Sequence, residues 1–274
     1  MPRVAIIISH AHQEPFISIL QNFDRPSKLN FEDFTFDLFY FEGKNSGRFE
    51  RWFRTNVEKL RYMRFWPALR LYDTFFLWLA AIKLPSARAT KDELGRQYLK
   101  VRVPEDQRHI AVKVYSAISF CEKENYDFVI RTTSNSIFNL KLVVDFLRRN
   151  IDTDMLYGGR EVKAQDRPSF VSGSFLVLNK NSLRYLLKSR MSHNYGVLDD
   201  VAFGRIFAKA ERVIRKEFCD SSDFVSISSI GEDRHDNFLS SAHYRCKSSS
   251  IPRNDLGIML ELAKILVKAQ ISYV

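Results

Sequence analysis

The chain has 274 residues, 45% hydrophobic, 14% aromatic and 27% charged, with a formal net charge of +10. That balance supplies a sizeable core and excludes both an intrinsically disordered chain and one embedded in a membrane. The length suits one compact α/β unit over residues 1–274, and the positive excess favours anionic ligands or surfaces.

Residues 4–9 form a β-branched run that ends at polar Ser9-His10-Ala11-His12, so the start reads as a first buried strand rather than a signal peptide. With no export signal expected, a cytoplasmic location fits. Residues 14–22 read as a helix and residues 36–41 as a second strand, the Rossmann-like opening of an alternating α/β fold. A basic, aromatic and helical excursion follows at about 44–84. In it Lys44, Arg48, Arg51, Arg54, Lys59, Arg61, Arg64 and Arg70 interleave with Trp52, Phe53, Tyr62, Phe65 and Trp66. Such a segment suits peripheral contact with an anionic membrane at its cytoplasmic face, and equally a solvated basic helix face. No recognisable nucleic-acid-binding motif accompanies it, so nucleic acid is not expected as a partner. Its most apolar part, residues 75–82, falls short of the about 20 residues a spanning helix needs.

A polar stretch leads to Pro104-Glu105-Asp106-Gln107, a helix start, and then to the periodic apolar set Ile110, Val114, Ala117, Ile118 and Cys121. Asp127-Phe-Val-Ile-Arg-Thr is a central-strand candidate, and residues 139–149 form an amphipathic helix. The link Thr133-Ser134-Asn135-Ser136 therefore sits at the carboxyl end of a central strand, where open α/β sheets bind ligands. It also reads as a capping turn before the helix. Next come a short strand at 155–159, a polar loop, a strand at 174–178 and a helix at about 181–189. Asp199-Asp200 opens a further helix, 213–230 holds strand-like pieces, and 254–272 closes the chain as an amphipathic helix. Cys121, Cys219 and Cys246 have neither disulfide nor zinc spacing.

Five stretches recur in a recognisable order over about residues 105–210: Lys113 on its helix; Arg131-Thr-Thr-Ser-Asn-Ser-Ile-Phe-Asn139; Tyr157-Gly-Gly159; Val171-Ser-Gly-Ser174; and Asp199-Asp-Val-Ala-Phe-Gly204. This set resembles the β-1,3-glycosyltransferases, a family that includes galactosyl- and N-acetylglucosaminyltransferases and Fringe. Its pattern is a lysine-bearing helix, Lys/Arg-Thr-Asp-Asp-Asp-x-Phe-x-Asn, Tyr-x-Gly, a Ser-Gly turn and Glu/Asp-Asp-Val-x-x-Gly. The resemblance implies a GT-A (Rossmann-like) fold with a mixed, mostly parallel central sheet flanked by helices. It implies transfer of a sugar from a nucleotide-sugar donor, UDP-linked in the family, to a glycan or lipid-linked saccharide hydroxyl.

One departure changes the expected chemistry. Where the family's aspartates hold a divalent cation, this chain has Thr133, Ser134 and Asn135, neutral groups that bond a ribose or phosphate but attract a hard cation poorly. No metal ligand is assigned and no cofactor is expected. Basic side chains replace the ion in metal-independent GT-A enzymes, and His243-Tyr244-Arg245-Cys246-Lys247 with Arg253 is the candidate cluster for a departing diphosphate. A basic surface loop is the plainer reading of the same residues. The acidic motif implies Asp200 as the base that takes the acceptor proton, with Asp199 orienting it or capping the helix. Ser9, His10 and Arg131 join Thr133, Ser134 and Asn135 on the nucleotide side. Ser172, Gly173 and Gly158 are candidates for sugar or acceptor contact. His10 and His12 have the spacing of a metal pair but no third ligand. The expected function is inverting, metal-independent glycosyl transfer in surface or capsid glycan synthesis. The alternatives are a retaining or sialyl-type transferase, or a sugar-binding pseudoenzyme.

Overall fold

The computed structural model describes residues 1–9, 14–43, 77, 79, 82–103, 109–164, 167–193, 198–210, 213–217, 224–227, 241–249 and 251–274. His10, His12, Cys219 and nearly all of the basic excursion lie outside the described residues. Four parallel strands make the centre: β1 (Arg3–Ser9), β3 (Phe34–Gly43), β5 (Gln97–Val101) and β6 (Phe128–Thr133), side by side as β6-β1-β3-β5. Their sequences are β-branched and aromatic because both faces are covered; Val4, Ala5, Ile6 and Ile7 are fully buried. On the far side of β6 lie β9 (Arg167–Asn179), β8 (Met155–Ala164) and β10 (Val213–Glu217), with only β9 reversed. The antiparallel strands β2 (Lys28–Phe31) and β4 (Arg88–Lys91) pair with β3 and β5. The mixed, mostly parallel sheet matches the expected α/β class.

Helices cover both faces. On one, α2 (Ile110–Lys123), α4 (Lys180–Ser189) and α5 (Asp199–Phe207) contribute Val114, Leu183 and Phe203 to a core with Ile7 and Val129. On the other, α3 (Leu140–Arg149) brings Val143 and Leu147 against Ile6 and Ile130. Asn139 starts α3 by accepting from the Lys141 and Leu142 amides, so the cap lies just beyond the Thr133–Ser136 link. A small sheet of β7 (Ser136–Phe138), β12 (His243–Cys246) and β11 (Phe224–Ile227) packs with α1 (Phe16–Asn22) and α6 (Asp255–Lys268) around Ile137, Tyr244 and Met259. Among the described residues no helix is long and apolar enough to cross a membrane.

Several elements differ from the sequence expectation. The polar stretch after residue 84 contains β4 and β5, whose outward Gln97 and Lys100 mask a buried Tyr98, Leu99 and Val101. The link after β6 is a tight turn, since Ser136 already pairs with Arg245 of β12. The polar loop expected after residue 159 continues the β8-β9 hairpin on its described residues. The basic stretch at 243–246 is a strand with a buried His243 and Tyr244, not a surface loop.

The chain runs β1, β3, β5 outward on one side of β1 and then crosses to place β6 on the other. The strand order therefore reverses between β1 and β6, and the carboxyl ends at such a reversal are where open α/β sheets form a ligand crevice.

Candidate functional site

Ser9 and Thr133 are register partners at that crevice, and the Ser134 amide donates to the Ser9 carbonyl at 3.3 Å. The turn that follows is tied on three sides. Thr133 Oγ1 donates to Asn135 Oδ1 at 2.8 Å and lies 2.9 Å from Ser136 Oγ. From below, buried Arg25 donates through Nη2 to the Ser134 and Ser136 carbonyls at 2.9 and 2.7 Å. Sideways, Asn135 Nδ2 donates to the Cys246 carbonyl at 3.0 Å and to Asp255 Oδ2 at 3.1 Å. Asp255 is fully buried and also accepts from the Ser248 amide and from Arg253. The turn thus sits at the junction of the central sheet, β12 and the start of α6.

The acidic pair lies beside it. Asp199 and Arg131 are both buried, with Arg131 Nη2 at 3.0 Å from Asp199 Oδ2. The contact is ionic rather than a directed hydrogen bond, since Oδ2 lacks hydrogen-bond geometry to any partner. Burial pushes the Asp199 carboxyl above its ordinary range; the Arg131 charge opposes that shift and the Asp200 charge adds to it. The pair fastens the first turn of α5 to β6. Asp200, half-buried, then accepts from the Gly173 amide at 3.1 Å and from the Val201 amide at 2.8 Å. Two backbone donors hold this carboxylate, and its remaining lone pairs are left for other partners.

Gly173 can reach Asp200 because β9 bows out. Between the pairs Gly159↔Leu176 and Glu161↔Val171, one residue of β8 faces four of β9, so Ser172, Gly173 and Ser174 lie in an irregularity. A Cβ on Gly173 would come within 1.7 Å of Arg131 Nη1. A glycine is required there because the buried guanidinium fills the space of a side chain. Ser172 Oγ and Ser174 Oγ are 2.9 Å apart along the same bow.

The cations come from β12 and the loop after it. Burial, then the charges of Arg253 and Arg160, hold Arg245 below its ordinary pKa; Asp255 and Asp200 pull the other way. Arg245, Arg253, Arg160 and Asp200 therefore share one electrostatic neighbourhood. Arg245 Nε is buried without a hydrogen-bond partner. Arg253 donates through Nε and Nη2 to Asp255, so its charge is largely matched. His243, buried against the Phe175 ring at 4.9 Å, is pushed down to about 3, chiefly by burial. It is neutral at physiological pH and adds no charge to the cluster. Lys247 is exposed.

The structure thus brings together Ser9, Thr133, Ser172, Gly173, Asp199, Asp200, Arg245 and Arg253 at one sheet edge. Four candidates face inward instead. Ser134 is wholly buried, its amide bonded to the Ser9 carbonyl and its own carbonyl to Arg25. Arg131 turns to Asp199, and Asn135 spends its amide on Asp255 and Cys246. The close approach expected of Gly158 for a sugar is made by the Phe146 ring, which lies 2.8 Å from where a Cβ would stand. Sequence reasoning missed Arg25, Asp255 and Arg160. Only Asp255, beside Asn254 in the first turn of α6, has a local signal.

The residues at the turn do not fit the divalent cation that the resemblance implies. Asn135 Oδ1 is taken by the Thr133 hydroxyl, the Ser134 side chain is wholly buried, and the adjoining carboxylate, Asp255, is saturated by Asn135, Ser248 and Arg253. Among the described residues no three His, Cys, Asp or Glu side chains gather as a ligand set.

No family model matches the chain, and no curated protein does. Among solved structures, similarity is found to a glycosyltransferase involved in glycosylation of the major capsid of PBCV-1, at 9% identity and a TM-score of 0.45, over 94% of this chain and 100% of that one. S. aureus TarS 1–349 is similar at 12% identity and a TM-score of 0.39, over 97% of this chain and 66% of that one. A longer S. aureus TarS structure gives 11% and 0.39, over 97% of this chain and 40% of that one. At these scores the likeness is one of coarse chain path.

Proposed function

We propose that the chain is a GT-A type glycosyltransferase that moves a sugar from a nucleotide-sugar donor to a glycan hydroxyl, with inversion and without a metal. The observation that carries this reading is the convergence of an amide-held carboxylate, Asp200, with Arg245 at the strand-order reversal between β1 and β6. The five ordered motifs point the same way.

In this account the donor lies across the ends of β1 and β6, with its nucleotide near Ser9 and Thr133. The acceptor oxygen forms a bond to the anomeric carbon, its proton passes to the Asp200 carboxylate, and the bond to the diphosphate breaks with its electron pair on the leaving oxygen. Arg245 and exposed Lys247 offset the charge that develops there, while Arg253 acts through Asp255. Asp199 and Arg131 are positioning residues. The donor is UDP-linked by family likeness, and the acceptor is a surface or capsid glycan or a lipid-linked saccharide, built on the cytoplasmic side with peripheral membrane contact.

Asp200→Asn keeps the shape of the side chain and one of its two amide contacts, the NH2 group being unable to accept the other, and it cannot take a proton. On a donor that the wild type turns over, it is expected to lower kcat about 10²- to 10⁴-fold with nucleotide affinity nearly unchanged. Turnover within a few-fold of wild type would remove Asp200 from the mechanism.

A further inference from the structure

Arg160 follows Gly159 midway along β8, where the register across β9 brings Gly159 level with Arg131 near the carboxyl end of β6, and its side chain is exposed. Gly159 has φ +137°, and a Cβ there would come within 2.3 Å of the Phe175 carbonyl oxygen and 2.5 Å of Val171 Cγ1. Only glycine fits this backbone and this approach. The consequence is local: the ladder breaks between Gly159 and Glu161, and Arg160 is left opposite the bow of Ser172, Gly173 and Ser174. Such irregularities re-aim side chains beside functional sites. The bow is also the segment whose Gly173 amide holds Asp200.

Phe175, in the stretch of β9 opposite Arg160, lies against His243 of β12 with ring centroids 4.9 Å apart, so the break in the ladder borders the small sheet. The Arg160 charge accordingly adds to the lowering of the His243 and Arg245 pKa values. The acid within this neighbourhood that is fully buried, Asp255, is already paired with Arg253. Among the described residues the Arg160 side chain makes no hydrogen bond or ion pair, and Arg245 keeps a buried Nε without an acceptor. Asp200 is the other acid of the neighbourhood and is held by two backbone amides, so the two guanidinium groups have no hydrogen-bonded carboxylate and form a site for an anion with several oxygens, which guanidinium binds in paired fashion.

We infer that Arg160 is a phosphate-contact residue, which together with Arg245 binds the two phosphates of a diphosphate across the Ser172–Ser174 bow. Diphosphate as the natural ligand rests on the transferase reading; the anion site itself does not.

The test uses inorganic pyrophosphate, so that no donor need be known. Calorimetry on the full chain compares wild type with Arg160→Ala, Arg160→Lys and Arg149→Ala, the last removing an equal charge from the exposed end of α3. The expected result is pyrophosphate binding that weakens at least about tenfold in Arg160→Ala, a loss of about 1.4 kcal/mol. Arg160→Lys should recover part of it, and Arg149→Ala should bind within about twofold of wild type. Equal weakening in Arg160→Ala and Arg149→Ala would reduce the effect to net charge and overturn the assignment. So would unchanged binding in Arg160→Ala, or no binding by the wild type. Arg160-dependent binding in a protein that turns over no nucleotide sugar would leave the anion site standing and sink the transferase reading.

Discussion

Arg131 and Asp199 form a buried pair in which the two partners are not equivalent. Removing one member of such a pair costs about 3–5 kcal/mol when the other cannot shed its charge. Arginine cannot lose its proton in a protein, whereas a carboxyl can gain one. Asp199→Ala, which strands the guanidinium, is therefore expected to lower unfolding free energy by about that amount, and Arg131→Met by clearly less. In Arg131→Met the carboxyl, already above 3.8 through burial, rises further. A carboxyl whose folded pKa is raised contributes stability below its unfolded value and loses it as pH climbs through the folded one, so that variant's deficit should widen from about pH 5 to about pH 8. Urea unfolding of both variants at the two pH values checks the order and the sign. The acids themselves were legible, because Asp-Asp before an apolar-periodic stretch marks a helix start. Arg131 was legible as a functional arginine but not as a tie, since its partner lies 68 positions away in the chain. Arg25, 109 and 111 positions from its acceptors, left no local trace at all.

At the scale of elements, the bow in β9 connects packing to chemistry. Gly173→Ala would put a methyl group where Arg131 Nη1 now sits. Either the guanidinium moves off Asp199 or β9 shifts away from Asp200. Overpacking of this kind costs about 1–3 kcal/mol, and both routes disturb the amide that holds Asp200. The variant is expected to lose stability on that scale in urea and, in turnover, to lose kcat more than donor affinity; a stable variant with wild-type kcat would show that the bow does not position Asp200. The central strands could be read from sequence because burial on both faces gives long β-branched and aromatic runs. β5 and β12 could not, because each is short and interrupted by two polar residues: Gln97 and Lys100 among the five of one, His243 and Arg245 among the four of the other. The apolar residues between them, Tyr98, Leu99 and Val101 or Tyr244 and Cys246, make no run long enough to mark a strand.

Across the whole molecule, two sheets meet at one turn. The strand-order reversal supplies the crevice, and the small sheet carries Arg245 to its rim. Asn135 and Asp255 join the two where the likeness to metal-using transferases places carboxylates. A sequence can show that those carboxylates are missing; it cannot show that their replacement is a structural tie, because the Asp255 contact spans 120 positions. The account as a whole therefore stands on catalysis without a divalent ion. The measurement that tests this most directly is release of nucleotide from UDP-, GDP-, dTDP- and CMP-linked sugars by the purified chain, with and without excess EDTA. The account predicts turnover of one donor class at a rate the chelator leaves unchanged. Turnover that disappears with EDTA and returns with added divalent cation would contradict it.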